Sequence, residues 1–148
     1  MKVRIANESS VGRLIALDPL ARGDLRRQRF LRGRVSLGEC WIAQDGPDVC
    51  GYAVRGEFFG FDFLELIFVA ERVRRQGAGW ALIEAVEEAR RTERVFASTN
   101  RSNAAMRALL TRRGYAASGV IFNLDPDDPE VVYVKRFDGV AAEPNPSW

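Results

Sequence analysis

Residues 74–79, RRQGAG, join two stretches whose apolar residues recur with different periods, and no other feature restricts the fold as much. Before them, residues 63–69 (FLELIFV) are a continuous apolar run broken only by Glu65, the pattern of a strand buried on both faces. After them, over residues 80–91, Leu82, Val86 and Ala89 return at helical spacing, with Glu84, Glu87, Glu88, Arg90 and Arg91 on the rest of the wheel. A strand, a basic glycine-bearing loop and a helix, in that order, suit an anion such as a diphosphate. The first turn of a helix has backbone N–H groups without intrahelical partners and the positive end of a macrodipole worth roughly half an elementary charge. Gly77 and Gly79 permit close approach because no Cβ intervenes, and Arg74 and Arg75 add charge that does not titrate. Gln76 and Ala78 complete the loop.

Other phosphate loops fit less well. The Gly-Lys-Ser/Thr ending of the nucleotide-triphosphatase loop is missing, and Gly77-Ala78-Gly79 is followed by Trp80, Ala81 and Leu82, which does not match G-x-G-x-x-G. On these six residues alone, a glycine turn carrying surface arginines stays open as the alternative.

In its setting the stretch resembles the acetyl-coenzyme A loop of the GNAT acetyltransferase superfamily, R/Q-x-x-G-x-G/A, with Arg74, Gly77 and Gly79 at the fixed positions. Residues 63–73 (FLELIFVAERV) resemble that family's fourth strand and its run into the loop. Residues 98–115 (STNRSNAAMRALLTRRGY) resemble its later Asn-containing helix, ending in Gly114 and Tyr115. The likeness extends from about Phe61 to Tyr133, and the N-terminal third matches only in its pattern of elements. It implies an α+β (mixed α/β) fold, with a mixed, mostly antiparallel sheet of about seven strands and helices on both faces. It also implies that the fourth and fifth strands splay, with the pantetheine arm of acetyl-CoA between them as a pseudo-strand. The implied activity is N-acetyl transfer from acetyl-CoA, as cosubstrate, to a primary amine of a small molecule or peptide.

Composition narrows the classes. At 148 residues and 47% apolar, the chain suits one domain over residues 1–137 and a loose tail over 138–148. A net charge of only +2 offers no global field for nucleic acid or an anionic membrane. All but two of the 22 basic residues are arginine, so clusters of arginine carry less meaning here than elsewhere. The absence of histidine removes His-based catalysis and most zinc constellations. No apolar run approaches ~20 residues and no secretory h-region opens the chain, so the expectation is a cytoplasmic protein with no membrane partner. Folding a hairpin about Asp45-Gly46-Pro47-Asp48 sets Cys40 opposite about Ala53 and Cys50 opposite about Ala43. Both cysteines are therefore expected as buried thiols.

In chain order, residues 2–6 alternate as a first strand, and Ser9 or Ser10 caps a helix that stops at Asp18-Pro19. Residues 22–34 form a basic helix with Leu25, Phe30 and Leu31 as its apolar face. Its arginines (22, 26, 27, 29, 32 and 34) either grip phosphate or form a solvated face, and the balanced charge and Asp24 favour the second. Strands follow over 39–44 and 49–55, a turn over 57–60, a strand over 95–98, a helix over 103–113, and closing strands over 120–124 and 131–137. Asn123, Asp125, Asp127, Asp128 and Glu130 form an acidic rim between the last two, read chiefly as a turn and otherwise as an attraction for a cationic amine.

Acyl transfer requires a neutral amine, and near pH 7 only roughly one lysine-like amine in a few thousand is neutral. Glu65, the one ionisable residue in its strand, is the candidate base, and an ion pair with an arginine of the basic helix is the alternative. The resemblance places backbone groups of Phe68, Val69 and Ala70 along the pantetheine arm, with the Val69 N–H as oxyanion donor. It also places Asn103 against the cofactor, where helix capping explains an asparagine equally well. Many relatives use a tyrosine as general acid where this chain has Leu110, so Tyr133 or water takes that role, or no acid is needed. A non-catalytic acyl-CoA sensor of the same fold is the alternative function. The acceptor, acyl length and oligomeric state, including a homodimer, stay open.

Overall fold

A computed structural model of the chain describes residues 1–143. Pro144 to Trp148, most of the expected tail, lie outside the described residues. The strands are β1 (Lys2–Ile5), β2 (Cys40–Asp45), β3 (Asp48–Phe58), β4 (Phe61–Val69), β5 (Arg94–Asn100), β6 (Ala116–Ile121) and β7 (Glu130–Arg136). The helices are α1 (Val11–Leu17), α2 (Pro19–Arg22), α3 (Leu25–Ser36), α4 (Ala78–Glu88) and α5 (Ala104–Arg112). The strands form one seven-stranded sheet in the order β1-β2-β3-β4-β5-β7-β6, and its one parallel ladder joins Asp62–Leu64 of β4 to Val95–Ala97 of β5. This is the mixed, mostly antiparallel α+β sheet the sequence implied. The chain divides into two compact units, residues 1–56 with 65–89, and residues 57–64 with 90 onward.

In the first unit, alternation along the strands sorts side chains to two faces. Cys40, Ile42, Tyr52 and Val54 pack with Leu14, Leu31 and Val35 beneath α1 and α3, each fully buried aliphatic contributing about 1.5–3 kcal/mol. Arg55 points the other way, where its Nη1 donates to the Ala89 carbonyl at the end of α4 at 2.5 Å and its Nε to Glu39 at 2.6 Å.

Several local expectations need correction. Asn7 is the first cap: its Oδ1 accepts from the Ser9 N–H at 3.1 Å, whereas Ser10 makes no side-chain cap bond to α1. The basic helix is two helices, because Asp24 caps α3 by accepting from the N–H groups of Arg26 and Arg27 at 3.0 and 3.2 Å. Its buried face is Leu31 and Val35, one turn apart, and Leu25 is exposed. In the hairpin, Cys40 faces Val54 and Ala43 faces Gly51, one residue from the expected register; both thiols are buried and unbridged. β3 runs on to Phe58, and the turn is the two residues Phe59 (φ 51°) and Gly60 (φ 82°), the positive-φ pair that matches strand twist.

In the second unit, β7 pairs with β5 and β6. The acidic loop is a built turn: the Asn100 Nδ2 donates to Asp125 at 2.8 Å, and the Ser102 N–H and hydroxyl donate to Asp128 at 3.1 and 2.6 Å. Asn103 caps α5 and Gly114 (φ 93°) follows it, so that helix begins one residue later than expected and ends at Arg112. β6 spans Ala116–Ile121 instead of residues 120–124, because it pairs back along β7.

Candidate active site

β4 leads through Ala70, a 3-10 turn at Glu71–Val73 and residues 74–77 into α4. The helix starts at Ala78, two residues before the expected Trp80, and ends at Glu88, with Gly77 at its N-cap in the left-handed region (φ 90°). A Cβ on Gly77 would meet nothing within 4 Å, so its positive φ, and not close packing, is what calls for glycine here. No side chain caps α4. Arg74, Arg75 and Gln76 are exposed, and Ala78 is buried. Arg75 also has a positive φ (67°), and the Arg74 Nε donates back to the Val69 carbonyl at 3.2 Å. A helix start left to backbone N–H groups and preceded by exposed cations fits a diphosphate.

Leu64 is the one fully buried apolar residue of β4, and residues 65–69 are half-buried, so the expectation of burial on both faces fails. The alternation also slips. Glu65 meets Arg34 of α3, yet Leu66 and Phe68 pack against the cluster containing Leu31 and Val35 of that same helix. Strict alternation would put Glu65 and Leu66 on opposite faces, so the two-residue period does not hold at this point of β4. Gly51 of β3 accommodates this crowding: a Cβ there would lie 2.5 Å from the Phe68 carbonyl oxygen and 3.2 Å from the Val69 Cα. Ala70 is less available than expected, since its N–H donates to the Cys50 carbonyl at 2.8 Å and its carbonyl accepts from Val73 at 3.1 Å.

The Glu65 carboxylate takes the ion pair that the sequence left as an alternative. Its Oε1 accepts from Arg34 Nη2 at 3.2 Å, and both side chains are 29% exposed. Arg34 is held in turn by the Arg55 carbonyl at 3.3 Å and by the Phe30 ring. Among the described residues, Oε2 has no hydrogen-bond partner. Arg27, another member of the basic cluster, is tied to buried Asp18 at 3.0 Å.

Asn103 and Tyr133 belong to the second unit. The Asn103 Oδ1 accepts from the Met106 N–H at 3.1 Å, so the capping role is present. Tyr133 is buried and its hydroxyl accepts from Arg107 Nε at 3.2 Å. Leu110 is fully buried, and Tyr115 packs after Gly114 with Lys135 over its ring. Sequence reasoning missed Gly51, Gly56, Asp18, Tyr52 and Arg107. Only the glycines left a signal, since glycine inside a strand often marks close approach.

The acetyltransferase (GNAT) family model matches residues 12–115. The chain belongs to the GNAT acetyltransferase family. It is similar in structure to a GNAT acetyltransferase from Bacillus cereus, at 27% identity with a TM-score of 0.85 over 91% of this chain and 96% of that one. In fold it is similar to yncA of Salmonella typhimurium, solved with its cofactor acetyl-CoA (19%, TM-score 0.74, 95% and 96% covered). It is likewise similar to the ribosomal-protein-S18-alanine N-acetyltransferase of Escherichia coli (17%, TM-score 0.76, 96% of each chain). No curated protein matches the sequence. As a member of the family this chain is an N-acetyltransferase, and the family's acyl donor is acetyl-CoA. Among the described residues of the acetyltransferase, no helix is long and apolar enough to cross a membrane, and no cluster of metal-binding side chains occurs.

Proposed function

We propose that this acetyltransferase carries acetyl from acetyl-CoA to a primary amine of a small molecule or peptide by direct attack on the thioester, with Glu65 as base. The observation that carries the reading is a partly buried carboxylate with Oε2 unengaged, on the strand that leads into an uncapped, arginine-flanked helix start. When bound, acetyl-CoA supplies an acetyl group on a thioester whose thiolate is a tolerable leaving group. Glu65 Oε2 takes a proton from the acceptor ammonium, and the neutral amine so formed attacks the thioester carbon. In this scheme the Val69 N–H serves the developing oxyanion and backbone groups of Phe68 hold the pantetheine arm, Ala70 being committed to Cys50 and Val73 and the Val69 carbonyl to Arg74. Residues 74–79 receive the diphosphate, Arg75 and the Nη groups of Arg74 adding charge. The Asn103 amide adds a contact beside its cap. Tyr133 is the acid of this scheme, its hydroxyl oriented by Arg107. One domain over residues 1–137, in the cytoplasm where acetyl-CoA is supplied, completes the reading.

A second reading is a sensor that binds acyl-CoA without turnover. The Arg34–Glu65 ion pair favours it, because a carboxylate engaged by arginine needs no catalytic explanation. Thiol release from acetyl-CoA over a panel of small amines and peptide N-termini separates the two. Release with one acceptor class, lost in Glu65→Gln, supports the enzyme with Glu65 as base. Saturable acetyl-CoA binding with no release for any acceptor would leave the sensor.

A further inference from the structure

We infer that Gly56 is a positioning residue: it provides a side-chain-free slot on β3 in which Arg34 fixes Glu65 Oε1, leaving Oε2 as the proton acceptor. The inference rests on the proposed role of Glu65 as base.

Gly56 lies inside β3 with no positive φ, so neither a turn nor left-handed backbone accounts for a glycine there. Glycine in a strand interior weakens the strand and often marks the close approach of another group. The group here is the Glu65 carboxylate. A Cβ on Gly56 would overlap Glu65 Oε1 and press on Cδ at 3.1 Å and Cβ at 3.4 Å. The oxygen seated over Gly56 is also the one that Arg34 Nη2 holds at 3.2 Å. Arg34 is itself fixed, by the Arg55 carbonyl next to Gly56 in the chain and by the face of Phe30. One carboxylate oxygen is thus pinned between a bare stretch of backbone and a braced cation, and the other stays unengaged. Any side chain at position 56 pushes Oε1 out of the slot. What must give way is the tip of a flexible side chain, so the fold survives the change and the carboxylate moves.

Gly56→Ala in the full chain tests this with two readouts. Turnover of the amine found by the thiol-release panel is expected to fall about 10- to 100-fold in kcat, the scale on which misplacing a reacting group acts. The KM for acetyl-CoA stays unchanged, and Glu65→Asp in the Gly56→Ala background, its carboxylate withdrawn by one methylene, recovers part of the loss. A crystal structure of Gly56→Ala is expected to show the carboxylate off Arg34, a readout independent of turnover. A carboxylate still seated on Arg34 in that crystal overturns the slot. A displaced carboxylate with native kcat, while Glu65→Gln is inactive, overturns the positioning role. Native turnover by Glu65→Gln overturns the inference through the failure of Glu65 as base, and the Gly56→Ala crystal tells that failure from a failure of the slot.

Discussion

The Tyr52 hydroxyl donates to Asp18 Oδ2 at 2.5 Å, and neither residue is exposed. The same carboxylate accepts from Arg27 Nε at 3.0 Å, and its Oδ1 accepts from the Leu20 N–H at 2.9 Å. A buried charge is tolerable only when so satisfied, and this one ties the turn between α1 and α2 to α3 and β3. Tyr52→Phe removes one donor of three groups and should cost about 1–3 kcal/mol in urea unfolding. Asp18→Ala strands Arg27 and Tyr52 together and should cost about 3–5 kcal/mol. Equal losses for the two variants would mean that the carboxylate is not the hub.

Burial pushes the Cys40 thiol up to about 12 from its ordinary 9.0. Burial, followed by the hydrogen bond to Asp18, pushes Tyr52 up as well. The native state therefore keeps protons that the unfolded chain releases. The stabilisation is complete below the unfolded thiol value of 9.0 and is lost as pH rises toward the folded value of about 12. Melting temperature should fall through that window, less steeply in Cys40→Ala. A curve of the same slope in that variant would rule out Cys40 as a contributor.

At Gly51, unlike Gly56, a methyl group would meet backbone, the Phe68 carbonyl and Val69 Cα. Backbone cannot step aside as a side-chain tip can, so Gly51→Ala should cost about 1–3 kcal/mol. It should also weaken acetyl-CoA binding, because Phe68 and Val69 shift. Titration calorimetry checks this, and native affinity in a destabilised Gly51→Ala protein would refute the placement of the arm.

Gly77 is held at φ 90°, where a non-glycine residue costs about 1–3 kcal/mol. Gly77→Ala should lower stability and, by turning the first N–H groups of α4, lower coenzyme A affinity. If only stability falls, the helix start is not the diphosphate site.

Asn103 separates capping from cofactor contact. Asn103→Ala should lose about 1 kcal/mol of stability, whereas Asn103→Ser keeps the cap. The serine variant is expected to fold like the native protein yet bind acetyl-CoA more weakly, for want of the amide. Native affinity in Asn103→Ser would restrict Asn103 to its observed bond with Met106.

Much of the frame around the candidate site was legible because its signals are local. The change of period around residues 74–79 placed strand, loop and helix, and Asn103 to Gly114 carried both a start and a stop for α5. Boundaries drifted where a cap went unrecognised, as at Asn7 and Asp24, and where a partner strand set the limit, as for β6 on β7. The break of alternation in β4 was invisible, since the near-continuous apolar run FLELIFV does not mark which residues share a face. Glu65 stood out as a lone charge in an apolar run, but nothing local named its partner among six nearby arginines.

By itself, then, the sequence determined the family, the order of elements and the strand, basic glycine loop and helix that meet at residues 74–79. Periodicity, caps and glycine positions act within a few residues and need no folded context. Tertiary structure alone decided that Arg34 holds Glu65, that Tyr52 meets Asp18, and that Gly51 and Gly56 lie against β4. Each of these joins residues distant in the chain, and their meeting depends on strand register, which one inserted residue is enough to change.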